Sequence, residues 1–255
     1  MSLVAEYLDR IGADRPLRTD AESLRYLHAR HLATVPFENL DIHLGTPIVL
    51  DTDAVLDKVV RQRRGGFCYE LNTAFAHLLA ELGFRVEMLA AGVFHNGVAG
   101  PPFDHMALLV HLDEPWLADV GFGRHSTFPL RLNSRAPQED PDGTFVLQST
   151  VDGDIDVLRD GAPEYRLDPR PRRLSDFAPT CWYQQSSPDS PFLRGPTCSM
   201  TVPGGRVTLA GDRLIRTVDG ARTEQILRSD KEILAAYHEH FGITLPRVPA
   251  RVSRS

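Results

Sequence analysis

Cys68 is the residue best placed to do chemistry. It follows the pair Gly65–Gly66 and opens a segment in which Leu71, Phe75, Leu78, Leu79 and Leu82 recur at helical spacing. A side chain at a helix start meets unsatisfied amide N–H groups and the positive end of the helix dipole. Both are expected to favour thiolate and lower the thiol pKa. The same amides could hold an oxyanion formed when sulfur attacks a carbonyl. A nucleophilic thiol also needs a base and a group to orient it. His105 opens the apolar run HMALLVHL, and Asp119 closes PWLADV just before Gly121-Phe122-Gly123. Only a hairpin-sized connection separates the two runs, so they are expected to pair. Histidine and aspartate then meet at one end of the hairpin, as cross-strand neighbours. Asp104 adjoins His105 but faces the other side of the strand, and His111 lies at its far end.

Three units must bring these residues together. Residues 1–83 read as helical. Thr19 with Glu22 reads as a capping box for one helix, and a second starts near Thr52–Asp53 and buries Val55, Leu56, Val59 and Val60. Its last turn is basic, and Gly65–Gly66 are expected to stop it. From Phe84 the period shortens to that of strands. The runs continue through GTFVLQST, DIDVLRD and EYRL as an antiparallel meander able to close into a small barrel. SSPDSPFLRGP (186–196) separates this unit from a three-stranded sheet turned at Gly204–Gly205 and Gly211–Asp212. A last helix is capped by Ser229 and Glu232. Helices, then strands, then sheet plus helix make the class α+β. Cys181, Cys198, Trp116 and Trp182 read as packing residues.

Composition removes several function classes. Net charge is −6 and no basic block offers a footprint for nucleic acid. Among 28 basic residues only Lys58 and Lys231 are lysines, which leaves no phosphate loop and little room for Schiff-base chemistry. Neither His28/His31 nor His238/His240 has companion ligands, so no metal site is expected. The three cysteines form no C-x-x-C pair, and no signal peptide or membrane span is evident. The expectation is a cytoplasmic protein that does not engage membranes.

VPFENL (35–40), RRGGFCYELN (63–72), HMALLV (105–110), ADVGFG (118–123), SPFL (190–193) and GDRLIR (211–216) together resemble the arylamine N-acetyltransferase family. The likeness runs along the whole chain, in the order and spacing of that family. It implies a helical domain (1–83) carrying the nucleophile Cys68, an antiparallel β-barrel domain (84–188) carrying His105 and Asp119, and a C-terminal α/β lid (189–255). The triad would be arranged as in cysteine proteases. The implied reaction is ping-pong transfer of acetyl from acetyl-CoA, a co-substrate rather than a tightly bound cofactor, to an arylamine, arylhydrazine or N-hydroxyarylamine. By the same resemblance Phe37 and Phe122 line the acyl and arylamine pocket. Gly121, Gly123 and the loop before His105, with Phe103, lie near CoA. Arg64, Glu38, Glu70 and Asn72 are supporting residues.

In one departure, Asp104 stands where many bacterial members have threonine; a carboxylate there would repel the acidic donor or simply face solvent. The chain lacks the long interdomain insert of vertebrate forms and is expected to be bacterial in type, a monomer or homodimer. An amide synthase closing a polyketide macrolactam and a Cys-His-Asp amide hydrolase share the same residues and stand as alternatives.

Overall fold

The computed structural model describes residues 2–251. Helices α1 (Leu3–Ile11) and α2 (Ala21–Leu32) lead into the two-residue strand β1 (Phe37–Glu38), then α3 (Leu40–Leu44) and α4 (Thr52–Leu56). The N-cap of α2 is Asp20, whose carboxylate accepts from Ser23 N–H; Thr19 lies one residue outside. After α4 the chain widens into a π-helical turn, Asp57–Arg61, which ends at Gln62 and Arg63 (φ 52°), before the glycine pair. The wider turn carries Lys58 into the interior.

Helix α5 (Cys68–Glu81) is buried along nearly its whole length. Strands β2 (Arg85–His95), β3 (Val98–Ala99), β4 (His105–His111), β5 (Pro115–Ala118), β6 (Leu130–Arg131), β7 (Gln138–Asp140), β8 (Gly143–Ser149), β9 (Ile155–Arg159) and β10 (Ala162–Arg172) follow. Their order is β6-β5-β4-β2-β10-β9-β8-β7, with β3 paired to β2, and every pairing is antiparallel. The Gln138 side chain all but closes the barrel. Its amide oxygen accepts from Arg131 N–H at 2.7 Å and its amide nitrogen donates to the Arg131 carbonyl at 3.1 Å.

The unbroken apolar run of β4 has a physical reason: the strand is buried on both faces. Ala107 and Leu109 join the barrel core with Leu89, Phe145, Val157 and Leu167. Leu108 and Val110 pack outward against Leu71, Phe75 and Leu78 of α5. Helix α5 is thereby fixed against the outside of the sheet that carries His105.

Helix α6 (Ala178–Ser186) was not anticipated from sequence. It leaves Trp182 70% exposed, so that residue is not a core residue, whereas Trp116 is buried. Four strands then form a meander: β11 (Thr197–Val202), β12 (Gly205–Ala210), β13 (Arg213–Val218) and the additional β14 (Ala221–Ile226). β1 joins its edge through Phe37↔Ser199 and Glu38↔Cys198. Helix α7 (Asp230–Phe241), capped by Ser229, packs Ile233, Tyr237 and Phe241 against it. No helix among the described residues is long and apolar enough to cross a membrane.

Candidate active site

The glycines before Cys68 serve close approach of backbone to backbone. A Cβ on Gly65 would lie 1.9 Å from the Pro36 carbonyl oxygen, and one on Gly66 2.7 Å from Glu70. This lets Gly66 bridge to Phe37 and accept from Glu38 N–H. Beneath the turn lies a buried charge cluster. Arg64 donates to Glu38 (2.7 and 3.0 Å) and Asp41 (2.8 Å); Lys58 donates to Asp41 (2.7 Å) and Glu70 (2.6 Å). Glu70 also accepts from Phe67 N–H, capping the helix that Cys68 begins. With two cations against three carboxylates, burial leaves Glu70 with a raised pKa despite Lys58.

His105 and Asp119 meet at the end of the β4–β5 hairpin. The register pairs Leu108 with Ala118, so Asp119 continues opposite Ala107 and His105 is its diagonal rather than direct neighbour. Both share the parity of the barrel-facing set. His105 Nε2 donates to Asp119 Oδ2 at 2.7 Å, and both side chains are almost wholly buried. Burial works to raise the Asp119 carboxyl pKa, but the adjacent imidazole reverses this and holds it well below the usual carboxylate range. Asn72, one turn along α5 from Cys68, donates to Asp119 Oδ1 (3.0 Å) and the Met106 carbonyl (2.6 Å) and accepts from Val120 N–H. Gly121 N–H closes the set on Asp119 Oδ1 at 2.9 Å.

His28, read from sequence only as one of two helical histidines, supports this carboxylate from behind. Its Nδ1–H faces the Thr127 carbonyl and its Nε2 accepts from Asp119 N–H, which fixes the neutral tautomer. Burial lowers its pKa to about 4. The Tyr165 ring packs 5.1 Å from that of His105.

Cys68 and His105 line one cavity of about 670 Å³. Phe37, Phe122 and Phe192 wall it, and Phe122 stands edge-on to His105 at 5.1 Å. Gly121 also lines it, and a side chain there would strike the Cys68 Cα at 2.6 Å. Gly123 instead lies under the Phe37 ring. Phe103 lies apart: it borders a separate hollow of about 270 Å³ with Arg166 and Arg172, packs on Phe177, and its carbonyl accepts from Tyr69. Asp104 does not simply face solvent; it is half-buried in the cavity wall and bonded to Gln184.

The expected lowering of the Cys68 thiol pKa is reversed. The residue is 3% exposed, and burial pushes the thiol up. The Met106 N–H opposes this, while the Asp119 charge adds to it. The helix start alone does not ionise the sulfur. Among the described residues no cluster of three or more His, Cys, Asp or Glu side chains is placed to hold a metal ion.

The family model described as N-acetyltransferase matches residues 20–249. An arylamine N-acetyltransferase of Escherichia coli is 35% identical over 94% of this chain and 89% of its own length. The M. smegmatis arylamine N-acetyltransferase structure superposes with a TM-score of 0.89 at 34% identity, covering 98% of this chain and 97% of the other. The Mycobacterium marinum enzyme in complex with CoA gives 0.84 at 31% identity, over 94% and 92%. Neither alternative, amide synthase nor amide hydrolase, is favoured by these likenesses. A match of this length, on a fold that sets a cysteine and a His–Asp pair around one cavity, places the chain in the arylamine N-acetyltransferase family.

Proposed function

We propose that the cavity carries acetyl from acetyl-CoA to an aromatic amine, hydrazine or N-hydroxyarylamine in two half-reactions through Cys68. The observation that carries this reading is the shared cavity: a helix-start sulfur and a carboxylate-held imidazole facing one space. His105 takes the Cys68 proton on Nδ1, since Nε2 is engaged with Asp119. The resulting imidazolium supplies the positive charge that the buried thiolate needs. Sulfur attacks the thioester carbonyl, the first-turn amides of α5 take up the oxyanion, and CoA leaves with the proton from His105. In the second half the amine nitrogen attacks acetyl-Cys68, gives its proton to His105, and the thiolate is released. Arylamines suit this step because they are weak bases, neutral and nucleophilic near pH 7.

Phe37 and Phe122 hold the acyl group and acceptor ring. Gly121 leaves room for the donor's thioester end. The cavity shares Phe37, Phe192 and Arg194 with a second hollow of about 740 Å³, also bordered by Arg213 and Arg251, which offers cations for the donor's phosphates. The site is complete within one chain, whether monomer or homodimer. A cytoplasmic location agrees with acetyl-CoA as donor and with three cysteines all free as thiols.

Incubation with acetyl-CoA and 4-aminobenzoate or an arylhydrazine is expected to release CoA thiol with parallel-line, ping-pong kinetics. No release with any small aromatic amine or hydrazine, or release that ignores the acceptor, contradicts the proposal.

A further inference from the structure

Asp104 is the acidic residue set deepest in the cavity wall. Its neighbour in sequence is His105, and both line the space that Cys68 opens into. One carboxylate oxygen accepts from Gln184 Nε2 of α6 at 2.6 Å; the other accepts from Val93 N–H at 3.4 Å. Both partners are donors, so the hydrogen bonds call for the ionised form. Burial raises the Asp104 pKa above the ordinary carboxylate value, with the Val93 N–H, His105, His95 and Gln184 acting against the rise. Gln184, itself 2% exposed, is held in turn: its side-chain oxygen faces Ser190 Oγ at 2.8 Å, and that oxygen accepts from Phe192 N–H. The carboxylate is therefore clamped, unable to swing out to water.

The other charges on the wall do not cancel it. Asp189 and Arg194 are of opposite sign and exposed, where water and salt screen them. His95 is exposed as well. Asp119 is spent on His105, Asn72 and Gly121. A bound acceptor thus meets a fixed carboxylate beside the reacting atoms.

We infer that Asp104 is a specificity-determining residue that selects among acceptor amines by charge, favouring neutral and cationic aromatic amines and disfavouring those bearing a carboxylate. This rests on the acetyl-transfer reading above. Asparagine at 104 would keep an oxygen for Gln184 Nε2 and lose the charge together with the longer Val93 N–H contact, so Asp104→Asn largely separates electrostatics from position. Any change in Cys68 reactivity acts on all acceptors alike and cancels in a ratio.

The test is kcat/KM with acetyl-CoA for three acceptors: 4-aminobenzoate, 4-anisidine and (4-aminophenyl)trimethylammonium. Against the neutral anisidine, Asp104→Asn is expected to raise the anion and lower the cation by roughly tenfold each, the scale of one unit charge at ~10 Å in a half-buried cleft. Gln184→Met, which keeps the carboxylate, is expected to preserve the preference for cation over anion. If Asp104→Asn does not fold, Asp104→Ser gives the same readout. Ratios unchanged within about twofold, or a change confined to kcat/KM for acetyl-CoA, overturn the inference while leaving acetyl transfer intact. Absence of turnover with all three acceptors in the unaltered protein overturns the acetyl-transfer reading itself.

Discussion

At the scale of single residues, the site depends on which proton each group holds. Asp119 accepts from three residues at once because it stays ionised: His105, Asn72 and Gly121 all donate to it. Asp119→Asn keeps the shape but can turn an N–H toward His105 and impose the wrong tautomer. We expect kcat to fall about 10³- to 10⁴-fold with little change in melting temperature, checked by steady-state kinetics and calorimetry. His28 gives a second residue-scale prediction, through stability. Its folded-state pKa is depressed to about 4, so the unfolded chain binds its proton first as pH falls below about 6.5. Stability is full above that pH and declines toward pH 4, by about 1.4 kcal/mol per unit per proton. His31, also buried and held low, adds to the same slope. His28→Gln is expected to remove about half of it in urea titrations across this window. Cys68, His105 and Asp119 were legible because chemistry restricts their types and their local settings. His28 was not, because its partner is a backbone amide 91 residues away that no spacing rule reaches.

At the scale of elements, the helix carrying Cys68 is held by charges as much as by apolar packing. Lys58 lies in a π-helical turn and neutralises Asp41 and Glu70 together. From sequence it stood out only as one of two lysines; the turn's extra width, which points it inward, has no local signature. Lys58→Met strands two buried carboxylates and is expected to cost about 3–5 kcal/mol in guanidinium unfolding. Activity per folded molecule should drop as well, since Glu70 also caps the start of α5. Unchanged stability would mean that the cluster contributes nothing to the fold. The long helix and the strands of the barrel were readable because burial of one or two faces imposes a period. Helix α6 and strand β14 were not. The first buries only Cys181 and Gln184 fully, and the second is exposed along its whole length, so neither needs an apolar repeat.

At the scale of the whole molecule, the cavity is assembled from parts that the chain keeps far apart. Phe37 arrives on β1, Cys68 on α5, His105 and Phe122 at the hairpin end, Gln184 on α6 and Phe192 just before β11. Asn39 binds this last segment to the first part of the chain, donating to the Phe192 and Gly195 carbonyls and accepting from Thr197 N–H. Sequence order alone indicated the α+β class and the residues that converge, while the walls contributed by α6 emerged only with the fold. The central claim is that Cys68 becomes acylated. Mass spectrometry of the protein exposed to acetyl-CoA without any amine should find one acetyl group, mapped by peptide digestion to Cys68 and lost on adding an arylamine. An unmodified protein, or an acetyl group on any other residue, would contradict the account.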